Sequence, residues 1–140
     1  MATDPGKLKR LIRLAQVKHG DNMCDLGSGD GRLVIAGAQA GAVATGYELN
    51  PVLVWWSRWL VRRNKLDDTA VILSKNFWNE DLSPYNVVVV FGVGGKMMAE
   101  LENKLLKELR PGARVVSNGF KFPNWQVAAR DRSLYFYQRT

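Results

Sequence analysis

The sequence predicts a single α/β domain with a doubly wound, mostly parallel sheet, and three observations support this fold class. The chain of 140 residues has the length of one domain. Its apolar residues alternate between helical spacing and strand-like runs, and the connections between these segments are short. The run NVVVV at 86–90 is continuous and β-branched, which is typical of a strand buried on both faces of a parallel sheet.

The predicted elements alternate between helix and strand along most of the chain. Pro5 can begin a helix, and the leucines after it recur at helical spacing. We therefore expect one domain, with an N-terminal helical segment over residues 1–20 and a sheet core over residues 21–140. Helices are predicted over 5–18, 32–40, 51–65 and 96–109. Strands are predicted over 22–26, 42–48, 69–74, 86–90, 113–117, 126–129 and 134–138, the last two forming an antiparallel hairpin at one edge.

The composition argues against several classes of function. The one cysteine, Cys24, lies in the first apolar run, and the one histidine, His19, lies in a turn. A disulfide, a metal site and thiol catalysis are therefore not expected. No apolar run approaches the ~20 residues that a membrane-spanning helix needs. The net charge of +7 favours an acidic partner, which could be nucleic acid, an anionic membrane surface or an acidic protein patch.

A glycine-rich turn, CDLGSGDGR at 24–32, follows the first predicted strand. Ligands of such sheets bind at the carboxyl ends of the strands. Gly27, Gly29 and Gly31 are spaced G-x-G-x-G, whereas a dinucleotide fingerprint is G-x-G-x-x-G. Asp25 lies two residues before the first glycine, where a carboxylate would repel a pyrophosphate and attract an ammonium group. The turn therefore favours S-adenosylmethionine, which carries an amino-acid end and a sulfonium, over a dinucleotide.

Glu48 is the second predicted ligand-binding position. It ends the second predicted strand, where an acidic side chain can bind ribose hydroxyls, and this position would serve NAD or S-adenosylmethionine equally well. Asn76 and Phe77, after the third strand, could contact the edge and the face of an adenine ring. The cofactor-binding residues that we predict are Asp25, Gly27, Ser28, Gly29, Glu48, Leu49, Asn76, Phe77 and Phe91.

Several motifs together resemble a family of small class I protein-lysine methyltransferases. They are DLGSGDGR, GYELNP, NVVVVFGV, LENKLLKELRPGARVVS and FKFPNW, spread over residues 21–126. Eukaryotic members of this family modify the c-ring protein of ATP synthase and the adenine nucleotide translocase, and archaeal relatives methylate lysines on many proteins. The resemblance implies a Rossmann-like methyltransferase sheet, S-adenosylmethionine as cofactor, and a protein substrate that carries the target lysine and is membrane-embedded in the mitochondrial cases. It also implies a cytoplasmic location for a prokaryotic member and a mitochondrial one for a trimmed eukaryotic member.

The resemblance departs from the family pattern in three places. The sequence shows neither the aromatic-Val-Pro segment that usually precedes the first helix nor the apolar anchor of the mitochondrial members. The turn after the fourth strand, where the family usually has a proline, reads GVGG at 92–95. Two alternatives therefore stay open: a methyltransferase acting on RNA or a small molecule, which the positive charge allows, and a non-catalytic adenosine-binding module.

No residue is predicted to act as a catalytic base. Holding an amine in line with a methyl group can be enough for transfer, and Tyr47 and Phe91 are candidates for shaping such a pocket. In the predicted third helix, PVLVWWSRWLVRR, the residues Val52, Trp55, Trp56, Trp59 and Leu60 share one broad face. We expect this face to pack on the sheet. The alternative is that some of the tryptophans and arginines meet a lipid surface or a membrane-bound substrate.

Overall fold

The computed structural model describes residues 5–91 and 93–140 of the chain. Its helices are α1 (Pro5–Leu14), α2 (Arg32–Gln39), α3 (Pro51–Arg63) and α4 (Met98–Glu108). Its strands are β1 (Asn22–Leu26), β2 (Val43–Tyr47), β3 (Ala70–Leu73), β4 (Val87–Val90), β5 (Arg114–Asn118), β6 (Ala129–Asp131) and β7 (Leu134–Gln138). Two single turns of 3₁₀ helix, Phe77–Asn79 and Gly95–Met97, complete the described elements.

The seven strands form one sheet in the order β3-β2-β1-β4-β5-β7-β6. The five strands from β3 to β5 pair in parallel. β7 pairs antiparallel with both β5 and β6, which makes the closing hairpin an edge of the sheet. The predicted fold class is therefore confirmed. Between β3 and β4 the structure places one turn of 3₁₀ helix where the alternating pattern would place a longer helix.

Two predicted boundaries differ from the structure. α1 ends at Leu14, earlier than predicted, because Gln16 adopts a left-handed φ of 56° and the amide of Val17 bonds back to the carbonyl of Ile12 at 3.1 Å. This is a helix-ending arrangement of the Schellman type. β6 lies later than predicted, because pairing with β7 sets its register, with Ala129 opposite Phe136.

The sheet is covered on both faces by apolar side chains. One buried cluster joins α1, α2 and α3 to one face, and the other joins α4 and the segment after β5 to the opposite face. All four residues of β4 are buried, as the β-branched run predicts. Cys24 is fully buried as well, and burial together with the charge of Asp25 raises the pKa of its thiol, so it fits the inert structural role expected of it. None of the helices in the described ranges is long and apolar enough to cross a membrane.

The expected orientation of α3 is wrong. Its buried residues are Val54, Ser57 and Val61, whereas Trp55 is 66% exposed. The reason is a close approach between α3 and the glycine turn. A Cβ added to Gly31 would lie 2.7 Å from the Cβ of Ser57. Only small side chains fit this contact, so the bulky tryptophans face outward.

Candidate functional site

The strand order reverses at the centre of the sheet, between β1 and β4. β2 and β3 continue on one side of this point, and β5, β7 and β6 continue on the other. Leu26 of β1 is in register with Tyr47 of β2 and Val90 of β4. The segments that follow these strands therefore meet at one edge of the sheet, which is where open α/β sheets bind their ligands.

The glycine turn leads from β1 into α2 along this edge. The amides of Gly27 and Ser28 both donate to the carbonyl oxygen of Tyr47, at 3.0 and 2.9 Å, which ties the turn to the end of β2. Gly29 adopts a left-handed φ of 57°, and a Cβ added there would meet no atom within 4 Å. The turn thus presents bare backbone to open space, as the close approach of a ligand to the main chain requires.

Asp25 is a buried carboxyl group beside the turn, with 1% of its surface exposed. Its Oδ1 atom and the hydroxyl of Ser28 are both buried without a hydrogen-bond partner among the described residues. Burial, followed by the negative charges of Glu48 and Asp30, raises the pKa of Asp25 to about 8. Buried polar atoms normally have partners, because desolvation is otherwise uncompensated. A cationic group or a hydrogen-bond donor next to Asp25 would supply the missing partner.

Glu48 connects the turn to the beginning of α3. Its Oε1 atom accepts a hydrogen bond from the amide of Gly29 at 2.8 Å. Its Oε2 atom accepts from the amides of Leu49 and Asn50 at 3.1 and 3.0 Å. These three donors hold the carboxylate in one orientation, and each oxygen can still accept a further hydrogen bond.

The motif GYELNP also explains where α3 begins. The Oδ1 atom of Asn50 accepts hydrogen bonds from the amides of Val52 and Leu53, at 3.0 and 3.3 Å, and so caps the helix. Pro51 occupies the first helical position, where the missing N–H of proline costs nothing. The cap therefore fixes the direction of the chain immediately after Glu48.

Asn76, Phe77 and Phe91 lie near the same edge but are less directly connected to the turn. The Oδ1 atom of Asn76 accepts from the amide of Trp78 at 3.1 Å, and the ring of Phe77 packs on that of Trp78 with centroids 4.9 Å apart. Phe91 is partly buried against the cluster on the α1–α3 face. No hydrogen bond within the described ranges joins these three side chains to the turn or to Glu48, so their contact with a ligand stays a prediction.

Residues 25–129 match the family model of the ANTKMT methyltransferase domain. The chain belongs to this family. The matched segment begins at Asp25 and contains both the glycine turn and Glu48, so the geometry described above falls within it. The family resemblance predicted from the motifs is confirmed.

Three relatives with curated names show how far this family extends. The chain is 44% identical over 119 residues to the lysine N-methyltransferase of the ATP synthase c-ring protein from Rattus norvegicus, covering 85% of this chain and 54% of the relative. It is 44% identical over 124 residues to the adenine nucleotide translocase lysine N-methyltransferase of Mus musculus, covering 88% and 53%. It is 35% identical over 120 residues to a protein-lysine N-methyltransferase of Saccharolobus islandicus, covering 84% and 74%. The chain thus spans about half the length of the mammalian relatives.

Solved structures resemble the whole chain. An RNA methyltransferase from Salinibacter ruber, in complex with S-adenosyl-L-homocysteine, superposes with a TM-score of 0.91 at 29% identity, covering 100% of this chain and 93% of that one. A SAM-dependent O-methyltransferase from Thermotoga maritima superposes with a TM-score of 0.74 at 17% identity, covering 84% and 45%. The second comparison shows the shared fold alone.

The structure adds two residues to the site of this methyltransferase-family chain that sequence reasoning missed. The charge of Asp30 contributes to the raised pKa of Asp25, and its position inside the glycine motif could have drawn attention to it. The hydroxyls of Tyr85 and Tyr47 lie 2.7 Å apart. No spacing rule links these two tyrosines, which only the sheet brings together. Tyr47 is 4% exposed, and burial followed by the hydrogen bond to Tyr85 raises its pKa.

The loop after β4 borders the site on the side of β5. The predicted GVGG turn at 92–95 includes Gly92, which lies outside the described residues. Of the rest, Val93 is buried, and a Cβ added to Gly95 would lie 3.0 Å from the ring of Phe120. Phe120 itself is 48% exposed. Because the family pattern usually has a proline in this loop, a different contact with the acceptor is expected here.

Proposed function

We propose that this chain is an S-adenosylmethionine-dependent methyltransferase that transfers methyl groups to the side-chain amine of lysine in proteins. The observation that carries the cofactor assignment is the buried, unpartnered Oδ1 atom of Asp25 beside the glycine turn. The assignment of lysine rests on family membership and on the names of the relatives.

The residues at this edge fit the proposed cofactor. An ammonium group would give Asp25 its missing partner and would favour the ionised carboxylate. The remaining acceptor capacity of Glu48 suits a pair of ribose hydroxyls, because its orientation is already fixed by three amides. The open backbone at Gly29 leaves room for close approach of a ligand. Asn76 and Phe77 would contact the adenine, and Ser28, Leu49 and Phe91 would complete the pocket.

The cofactor would supply an electrophilic sulfonium methyl group, and the protein would position the acceptor amine. Free lysine has a pKa of about 10.4, so the neutral amine must be favoured before it can act as a nucleophile. Desolvation at the sheet edge lowers the pKa of an amine, and its proton can pass to water. We assign no general base, because Asp25 and Glu48 are both committed to the cofactor. Catalysis by alignment of amine and methyl group requires none.

The finer part of the proposal concerns the substrate and the location. A membrane-embedded protein is our first candidate substrate, since the relatives include enzymes named for the c-ring protein of ATP synthase and for the adenine nucleotide translocase. The same proposal places the reaction in the mitochondrion if the chain is eukaryotic and in the cytoplasm if it is prokaryotic.

RNA is the second candidate substrate, and one observation favours it. The Salinibacter ruber protein that superposes on the whole chain is described as an RNA methyltransferase. The net charge of +7 would also suit a polyanionic substrate. Protein lysine remains the first proposal, because the relatives with the higher sequence identities are named protein-lysine methyltransferases.

One labelling experiment distinguishes these proposals. The protein is incubated with a cell extract and S-adenosylmethionine whose methyl group carries a heavy isotope, and protein and RNA digests are analysed by mass spectrometry. We expect the label on lysine side chains, and its loss with the Glu48→Ala variant. Label confined to RNA would replace the first proposal by the second. Cofactor binding with no label in either fraction would indicate a non-catalytic adenosine-binding module.

A further inference from the structure

The outward face of α3 carries large apolar side chains that the described part of the chain leaves exposed. Val52, Trp55, Trp56 and Trp59 are 71, 66, 42 and 43% exposed. At 3.6 residues per turn, these four side chains fall within about 100° around the helix axis. We call them the α3 aromatic surface. Contiguous exposed apolar patches of this kind mark interaction sites on soluble domains.

Basic side chains adjoin the α3 aromatic surface at the end of the helix. Arg62 and Arg63 are exposed and form its last turn, and Lys65 follows. The guanidinium carbon of Arg63 lies 5.3 Å from the ring centroid of Trp59. The sequence of α3, PVLVWWSRWLVRR, contains no acidic residue. The face is therefore both aromatic and cationic.

We propose that the α3 aromatic surface binds the headgroup region of an anionic lipid bilayer. Tryptophan is enriched at membrane–water interfaces, where its ring lies among the upper acyl chains and its indole N–H bonds to polar groups. None of the three indole N–H groups has a hydrogen-bond partner in the part of the chain that the structure describes. Arginines can extend their apolar stems along such a surface while the guanidinium meets lipid phosphates.

The arrangement of the rings favours a bilayer over nucleic acid. Stacking on bases needs free ring faces, but Trp56 and Trp59 stack on each other with centroids 5.2 Å apart and planes 19° apart. The ring of Trp59 also contacts Arg63. A second copy of this chain is disfavoured by charge, because a self-complementary contact would bring the arginines of the two copies close together.

The position of α3 would bring the candidate site to the bilayer surface. The helix begins at Pro51, directly after the residues that hydrogen-bond to Glu48. Leu49 is 60% exposed and adjoins the surface along the chain. This proposal goes beyond the proposed function and does not depend on methyl transfer, because lipid binding can be measured without any methyl donor.

Vesicle sedimentation tests the proposal with the full chain. The wild-type protein is mixed with vesicles of phosphatidylcholine alone or of phosphatidylcholine with phosphatidylglycerol. We expect binding to the anionic vesicles, with a blue shift of tryptophan fluorescence, and weaker binding as the salt concentration rises. The double variant Trp55→Ser/Trp59→Ser should lower the partition coefficient at least tenfold. Arg62→Ala/Arg63→Ala should remove most of the preference for anionic vesicles.

Matched controls keep the result interpretable. Val43 and Val71 are 49 and 46% exposed outside α3, so Val43→Ser/Val71→Ser removes exposed apolar side chains without touching the surface and should leave vesicle binding unchanged. Thermal unfolding verifies that each variant folds. Equal sedimentation of wild type and the tryptophan variant would overturn the proposal. Tryptophan-dependent binding to oligouridylate, or tryptophan-dependent dimerisation in sedimentation equilibrium, each without vesicle binding, would also overturn it.

Discussion

The Oε1 atom of Glu48 accepts a hydrogen bond from the backbone amide of Gly29 at 2.8 Å. This contact joins the end of β2 to the centre of the glycine turn. It orients the carboxylate that is predicted to bind ribose. The two strongest signals in the sequence, the glycine motif and the acidic strand end, are thus parts of one hydrogen-bonded unit.

Replacing Glu48 should weaken cofactor binding strongly. We expect Glu48→Ala to raise the dissociation constant for S-adenosylhomocysteine at least tenfold, because losing a charge-assisted hydrogen-bond pair costs roughly 1.5–3 kcal/mol. Glu48→Gln keeps one acceptor oxygen and should give an intermediate loss. Glu100→Ala, an exposed change on α4, serves as the calorimetric control. Unchanged affinity in Glu48→Ala would remove this residue from the site.

Cofactor binding should release a proton from Asp25. The pKa of this carboxyl group is raised to about 8 by burial, so at pH 7 the unliganded protein holds it protonated. An ammonium ligand favours the ionised form. The affinity for S-adenosylhomocysteine should therefore rise up to about tenfold per pH unit between pH 6 and 7.5. Calorimetry in buffers of different ionisation enthalpy measures the released proton.

The same carboxyl group should make stability depend on pH. Because its folded pKa lies above its unfolded value, the folded state binds the extra proton between the two, and the free energy of unfolding falls as the pH rises towards about 8. Asp25→Asn should abolish this contribution and the proton release together. A variant that retained the full pH dependence of cofactor binding would contradict the role given to Asp25.

Two glycines in the turn should respond differently to substitution. Gly31→Ala combines a φ of 82° with a Cβ placed 2.7 Å from the Cβ of Ser57, so we expect a loss of about 2–5 kcal/mol of stability. Gly29→Ala meets no neighbouring atom and should cost only about 1–2 kcal/mol for its backbone conformation. It should nevertheless weaken S-adenosylhomocysteine binding at least tenfold. Denaturant unfolding and calorimetry separate the two effects, and equal stability losses would contradict the packing argument.

A buried ion pair away from the site should matter for stability alone. Arg114 Nη2 lies 2.8 Å from Asp21 Oδ1, and its Nη1 atom donates to the carbonyls of Ala15 and Gln16. Arg114→Met leaves a buried carboxylate without its cation, so we expect a loss of about 3–5 kcal/mol. Asp21→Asn/Arg114→Met should lose less than the sum of the single changes. Additive losses in denaturant unfolding would show that the pair is not coupled.

Asp21 also predicts destabilisation by acid. Although burial acts to raise its pKa, hydrogen bonds from the amide of Lys18, from Asn86 and from Arg114 bring the net value below the ordinary 3.8. A lowered folded pKa gives stability that is present above the unfolded pKa and is lost as the pH falls through the folded one. The free energy of unfolding should therefore drop below about pH 4, and less so in Asp21→Asn.

The sequence predicted those features that depend on local pattern. The valines of β4 identified a buried strand, and the spacing of the glycines with Asp25 predicted the site that the fold brings to the switch point. The path of α3 could not be predicted, because both of its faces are largely apolar in sequence. Which face packs inward depends on the close contact of Gly31 with Ser57, a relation between residues far apart in the chain.

The pairing of hydroxyls between Tyr47 and Tyr85 has the same origin. The two residues are 38 positions apart, and only the sheet brings them together. The end of α1 depended on a left-handed Gln16, a residue type with no special preference for that conformation. Such features arise from tertiary contacts and not from local sequence preference.

The most direct test of the account is a calorimetric titration of the protein with S-adenosylhomocysteine and, separately, with NAD. The unpartnered carboxyl of Asp25 and the fixed carboxylate of Glu48 predict saturable binding of S-adenosylhomocysteine and none of NAD. Tight binding of NAD without binding of S-adenosylhomocysteine would contradict the assignment of the site.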